Sequence, residues 1–230
     1  MLSGVTLLTS LPQRRPAAAN MAADVALLGR AAAEREPLLR WYGWAEAAVT
    51  FGYTQCWAEV ANPWIDAAVT VVRRPTGGGL VDHRHDVTYA LAIPACHPAA
   101  KARPLEAYRA LHGTLAGVLR ELGTTAALLD DCAARGDAAC FARPSAFDVV
   151  DAATGRKIAG AAMKRTRDGL LIQGSVDRQA APRVDFDARS WIEGCSMAIA
   201  DWLGATAVFA ETFSPENDPD WPATLARFQS

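Results

Sequence analysis

No stretch of this chain is apolar for long enough to span a bilayer, and no segment repeats. No run of like charge forms a tail. Twenty-five acidic residues stand against 23 Lys and Arg, a formal net charge of -2, so bulk charge does not point to nucleic acid. Cysteine is scarce and shows no pairing pattern. The five residues Cys56, Cys96, Cys132, Cys140 and Cys195 are odd in number, widely spaced and free of any C-x-x-C. That argues against a disulfide framework and a structural zinc site. The opening residues MLSGVTLLTSLPQRR carry no basic segment ahead of apolar ones, so no signal peptide is expected. A G-x-x-x-x-G-K-[ST] phosphate loop is missing, as is G-x-G-x-x-G, and no acidic cluster declares a protein-held metal. What remains is a chain of 230 residues, 51% hydrophobic and 21% charged. It is long enough to bury a full core as one domain over residues 1–230. The expected setting is the reducing cytoplasm, with no membrane and no nucleic-acid partner.

The apolar pattern alternates between strand and helix periods. Residues 4–10 read as a strand and 18–34 as a helix, with Met21, Val25 and Leu28 at helical spacing. Short β-like runs follow at 38–44, 48–53, 67–74 and 87–94. The clearest helix starts at Pro104 and ends at Gly123, with Leu105, Tyr108, Leu111, Leu115, Leu119 and Leu122 as one apolar stripe. Thr154-Gly155 and Asp168-Gly169 mark the corners of a β-meander. A last helix covers 185–203, and prolines leave room for only a short helical turn near Leu225 and Phe228. The fold class this predicts is α+β: a mixed or antiparallel sheet with helices packed on one side.

Chemistry concentrates in two places. The first is "RRPTGGGLVDH", residues 73–83. Three glycines after a strand serve a tight turn, or they let a backbone approach a ligand closely. Arg74 ahead of them is a natural fork for phosphate or carboxylate, and otherwise a solvated strand end. His83 follows, either as a ligand contact or as a satisfied structural histidine. The second is "GRKIAGAAMKR", which sets Lys157 in an otherwise apolar strand with Gly160 and Ala161 after it. Strict alternation puts Lys157 on one face with Ala159 and Ala161, and Ile158 on the other. An ammonium among small residues can stabilise an oxyanion or a phosphate; a solvent-facing lysine is the plainer alternative. Gly174-Ser175 ends the following strand, near the same pocket or as simple punctuation.

Together these segments resemble the lipoate–protein ligases and octanoyl/lipoyl transferases, relatives of the biotin–protein ligases. The likeness extends over most of the chain: "NMAADVALL", "LLRWYGWAEAAVTFGYTQ", "RRPTGGGLVDH", "GRKIAGAAMKR" and "GLLIQGSV" occur in the family's order. It implies a biotin/lipoate ligase-type catalytic domain whose sheet grips an octanoyl or lipoyl chain. By that likeness Arg74, Thr76, Gly77, Gly78, Gly79, His83, Tyr89, Gly160, Ala161, Gly174 and Ser175 bind the acyl group or acyl-adenylate, and Lys157 polarises its carbonyl. The acceptor it implies is a lysine on a lipoyl carrier domain, of the E2 or glycine-cleavage H-protein type.

Two chemistries stay open within the family. Transferases take octanoyl from an acyl carrier protein through a cysteine thioester, whereas ligases activate lipoate with ATP and Mg²⁺. "ACFARPSAFDVV" resembles the C-F-x-x-P-S stretch of the transferases found mainly in Gram-positive bacteria, which makes Cys140 the nucleophile; a small buried hydrophobe is its other reading. The remaining four cysteines are read as structural. "HxxDVTY" from His83 to Tyr89 also resembles those transferases. Gly79 stands where they often carry Arg, Gln173 where a His is often found, and Arg84 where an Asp commonly follows the His. No tightly bound cofactor and no C-terminal accessory domain are expected. A ligase with or without a separate partner protein, and a non-catalytic lipoyl-binding member, are the alternatives; a biotin ligase is disfavoured by the absence of a G-R-G-R loop.

Overall fold

The computed structural model describes residues 4–65, 67–130, 145–210 and 212–229. In chain order its elements are β1 (Val5–Arg15), α1 (Ala17–Glu34), β2 (Leu38–Trp44), β3 (Ala48–Phe51), α2 (Trp57–Val60), α3 (Asn62–Ile65), β4 (Thr70–Arg73), β5 (Val81–Asp82), β6 (Asp86–Pro94), α4 (Pro104–Glu121), β7 (Ala126–Leu128), β8 (Val149–Asp151), β9 (Lys157–Arg165), β10 (Gly169–Asp177), α5 (Arg189–Leu203), β11 (Ala205–Ala210) and α6 (Trp221–Ala226). Eight strands form one mixed sheet in the order β11-β1-β2-β6-β10-β9-β8-β7, and β4-β3-β5 form a second. In the large sheet β1 is parallel to β11 and β2; its other pairs are antiparallel.

Helices cover both faces of the large sheet rather than one. Leu111, Leu115 and Leu119 of α4, with Trp191, Cys195 and Ile199 of α5, pack on Leu39, Trp41, Tyr89 and Leu91. On the other face Met21, Leu27 and Leu28 of α1 pack on Leu38, Tyr42, Ala90 and Leu171. The central strands require this. Every residue of β6 is buried, and all of β10 except its last. A strand apolar on both faces needs two covers. Among the described residues no helix is long and apolar enough to cross a membrane.

α1 also buries charge. Asp24 and Asn20 are fully buried, and Arg40 of β2 is 2% exposed. Arg40 donates to Asp24 Oδ1 at 2.5 Å and to Asn20 Oδ1 at 2.8 Å. Tyr42 and Gln173 donate to Asp24 Oδ2 at 2.8 and 2.6 Å. Burial raises the Asp24 pKa, and the Arg40 charge opposes that.

α4 begins where Pro104 predicts, with Glu106 accepting from the Arg103 N–H at 3.1 Å. Leu105 and Leu122 overhang its ends, 57% and 39% exposed. His112 interrupts the buried stripe at 1% exposure. Burial lowers its pKa below the ordinary 6.5. A depressed histidine binds fewer protons folded than unfolded. Its contribution is therefore complete above the unfolded value and lost as pH falls towards the folded one. Between about pH 7.5 and about pH 5.5 the urea midpoint of the wild type is expected to fall more steeply than that of His112→Asn. Parallel slopes would refute the assignment.

Candidate active site

A cavity of about 250 Å³ lies between the α1 face of the large sheet and the second sheet with its glycine loop. Arg74, Gly77, Gly78, Gly79, His83, Lys157, Gly160, Ala161, Gly174 and Ser175 all line it, joined by Met21, Trp44, Tyr108, Met163 and Gln173. Sequence positions a hundred residues apart thus meet because β9 and β10 run beneath the loop that follows β4. The lining is mainly apolar, with polar groups held by partners in the wall.

The loop is organised by Arg74. Its guanidinium is buried and donates to the carbonyls of Gly77 and Gly79, each at 2.6 Å, and to Thr50 Oγ1 at 3.1 Å. Gly78 between them has φ +83°, a left-handed conformation that glycine adopts without steric cost. Thr76 lies behind the lining. Its hydroxyl donates to Gln173 Oε1 at 2.7 Å, which links the loop through Gln173 to Asp24 of α1.

His83 has both ring nitrogens engaged. Nδ1 lies 2.6 Å from Asp86 Oδ2 and Nε2 2.8 Å from Thr50 Oγ1, and the ring stacks on Trp44 at 4.0 Å. Thr88 and Ser175 also donate to Asp86 Oδ2. The histidine is therefore part of the wall that shapes the loop. Tyr89 does not reach the cavity. Successive strand residues face opposite ways, and Tyr89 points into the α4–α5 core against Trp41, 5.3 Å between rings.

Lys157 reaches the cavity by breaking alternation. Val149 pairs with Ala159 but Val150 pairs with Lys157, so Ile158 is an extra residue in β9. Such a bulge re-aims neighbouring side chains. Ile158 and Ala159 both enter the same core, and Lys157 turns to the cavity. Its Nζ pairs with Asp148 Oδ2 at 2.8 Å, the two side chains 8% and 6% exposed. The ammonium occupies the space a side chain at residue 160 would take. A Cβ on Gly160 would lie 2.5 Å from Nζ and 2.8 Å from Asp148 Oδ1. Asp148, Asp86, Thr50 and Gln173 were not among the expected site residues. The one signal for Asp148 is an acid set in the apolar run "FDVV".

Cys140, the expected nucleophile, lies outside the described residues, as does Cys132. Cys195 is buried and its thiol pKa is pushed up by burial, as for an inert core residue. Cys56 and Cys96 are exposed. Among the described residues no group of three or more His, Cys, Asp or Glu is placed to hold a metal ion. The arrangement offers an apolar slot with one buried ammonium at its wall, a setting able to hold an acyl chain and stabilise charge on its carbonyl oxygen.

Comparison with known proteins identifies the family. The family model described as lipoyl protein ligase A/B catalytic domain matches residues 16–180. The octanoyltransferase LipM of Kyrpidia tusciae is 37% identical over 180 residues, 74% of this chain and 65% of that protein. The Bacillus subtilis protein of the same name is 33% identical over 170 residues, 68% of this chain and 60% of that one. The chain thus spans less than two thirds of the length of these relatives. Among solved structures, the bipartite lipoate protein ligase of Thermoplasma acidophilum, described with its E2 lipoyl domain, has a TM-score of 0.69 at 17% identity over 97% of this chain and 91% of that one. Plasmodium falciparum LipL1 in complex with lipoate has a TM-score of 0.70 at 13% identity over 99% and 72%. These two likenesses speak to the fold alone. With the family model covering most of the sequence, the chain belongs to the lipoyl protein ligase A/B catalytic domain family.

Proposed function

We propose that this protein is an acyltransferase that moves an octanoyl or lipoyl group onto a specific lysine of a lipoyl carrier domain, of the E2 or H-protein type, through a thioester on Cys140. The observation that carries the reading is the Lys157 ammonium, buried against Asp148 in the wall of an apolar cavity roofed by the glycine loop. The names of relatives 33–39% identical support transfer over ligation. The "CFARPS" stretch supports Cys140.

In the first step the Cys140 thiolate attacks the thioester carbonyl of an acyl carrier protein. The new C–S bond forms, the donor's C–S bond breaks, and the donor leaves as a thiolate that takes up the proton Cys140 released on ionising. In the second step the carrier lysine's neutral amine attacks the acyl-enzyme. An amide forms, the Cys140 C–S bond breaks, and the amine proton ends on the Cys140 thiol. Both steps place negative charge on the same carbonyl oxygen, and Lys157 stabilises it. The apolar lining holds the chain, and Arg74 keeps the loop carbonyls turned away from it.

Intact mass after incubation with octanoyl carrier protein tests the reading. The wild type is expected to gain one octanoyl group that hydroxylamine removes, and Cys140→Ala to gain none. An unmodified wild type together with carrier lipoylation that requires lipoate, ATP and Mg²⁺ would replace the transferase with a ligase.

A further inference from the structure

His112 lies outside the cavity lining, and the proposed reaction makes no use of it. It sits on the buried face of α4 with Nδ1 2.5 Å from the backbone carbonyl of Phe147. A carbonyl only accepts, so Nδ1 carries the proton and Nε2 the lone pair. Among the described residues Nε2 is buried with no hydrogen-bond partner. A buried acceptor left unmatched is a cost, and an apolar side chain would fill the same space without it. The histidine is therefore not explained by packing of α4 on the sheet.

What it holds is a strained residue. Phe147 has φ +65°, a region that bulky side chains rarely occupy. Such a conformation persists only where its surroundings over-determine it, and it tends to mark functional sites. The Phe147 N–H donates to Leu129 O at 2.7 Å and its carbonyl accepts from His112, so both backbone polar groups are pinned. The next residue is Asp148. One carboxylate oxygen of Asp148 receives the Ser145 N–H at 2.6 Å and also the Lys157 ammonium at 2.8 Å. If residue 147 relaxed to an ordinary conformation, the Asp148 carboxylate would swing and the ammonium would follow it.

We infer that His112 is a positioning residue for acyl transfer: its hydrogen bond to the Phe147 carbonyl fixes the left-handed turn that aims Asp148, and through Asp148 it sets Lys157 at the cavity. This rests on the reading of Lys157 as the catalytic ammonium.

Three variants test it, assayed for octanoyl transfer to a lipoyl carrier domain beside the wild type and Lys157→Ala. Asn places its amide N–H near the position of Nδ1, Gln places it near Nε2, and Phe keeps the ring without a donor. The expected result is that His112→Asn retains most of kcat. His112→Gln and His112→Phe lose about 10²-fold, the scale of a misplaced catalytic group. KM for the carrier should stay unchanged in all three, and each should melt cooperatively. Asn and Gln are alike in polarity, so their comparison stands even if the Phe variant does not fold. Equal kcat in the Asn and Gln variants would overturn the inference, as would a fully active Gln or Phe variant beside an inactive Lys157→Ala. An inactive wild type, or an active Lys157→Ala, would instead overturn the reading on which the inference rests.

Discussion

Lys157→Ala is expected to lower the rate of octanoyl transfer by roughly 10²–10³-fold, the usual loss when one preorganised oxyanion donor is removed. The effect should fall on kcat, because in the proposed reaction the ammonium acts on charge that develops in the transition state and not on the acyl chain itself. The substitution also leaves Asp148, 6% exposed, without its cation, so stability should be followed alongside. Gly160→Ala separates the two. The methyl group would lie 2.4 Å from Lys157 Cε and 2.5 Å from Nζ. Both atoms are at the far end of a flexible side chain, so the lysine can yield while the strand stays in register. Gly160→Ala should therefore lose nearly as much kcat as Lys157→Ala with every charged residue still present. Rates measured well below each melting transition decide it. A Gly160→Ala enzyme with wild-type kcat would mean that the ammonium acts from another position, or not at all.

Much of the arrangement was legible in the sequence where a local rule operates alone. Pro104 and the leucine spacing mark α4, and Thr154-Gly155 and Asp168-Gly169 mark the meander corners. The features that were not legible depend on partners distant in sequence. β11 carries no strand signal of its own because "ATAVFA" lacks a clean apolar alternation: Thr206 and Val208 face outward, and the strand exists through its parallel pairing with β1. β1 runs on to Arg15 despite Pro12, because the register shift between Ser10 and Gln13 falls at that proline. A period of two also misassigns the faces around Lys157, because the extra residue Ile158 shows only in the pairing with β8. The site was legible as residue types and not as roles. Arg74 reads in sequence as an anion fork or a solvated strand end; it is buried, and its guanidinium donates to the carbonyls of its own loop. His83 reads in sequence as either a ligand contact or a satisfied structural histidine; Asp86 and Thr50 hold both its nitrogens while the ring lines the cavity.

Arg40→Met should cost about 3–5 kcal/mol of stability, because it strands the Asp24 carboxylate in the core without a cation. Asp24 is fully buried, and desolvation already raises its pKa with Arg40 as the largest opposing influence. Without the guanidinium, desolvation goes less opposed and the folded pKa rises further. The sign of the pH dependence follows. A raised folded pKa means that the folded state binds more protons than the unfolded state between the two values. The deficit of Arg40→Met relative to the wild type is therefore largest at neutral pH and narrows as pH falls towards the ordinary carboxylate value of 3.8. Denaturant melts of both proteins across that range measure it. Adding Asp24→Asn should recover part of the loss at neutral pH, since the stranded charge is gone. Asp24 also accepts from Gln173, which in turn accepts from Thr76 at the start of the glycine loop. The ion pair beneath α1 is thus tied to the loop that roofs the cavity. The single variant should loosen acyl binding, seen as a raised KM for the acyl donor, at temperatures where the protein remains folded. A deficit that is flat with pH would place the Arg40 contribution in packing, through its contact with the Tyr42 ring at 3.9 Å, and not in charge.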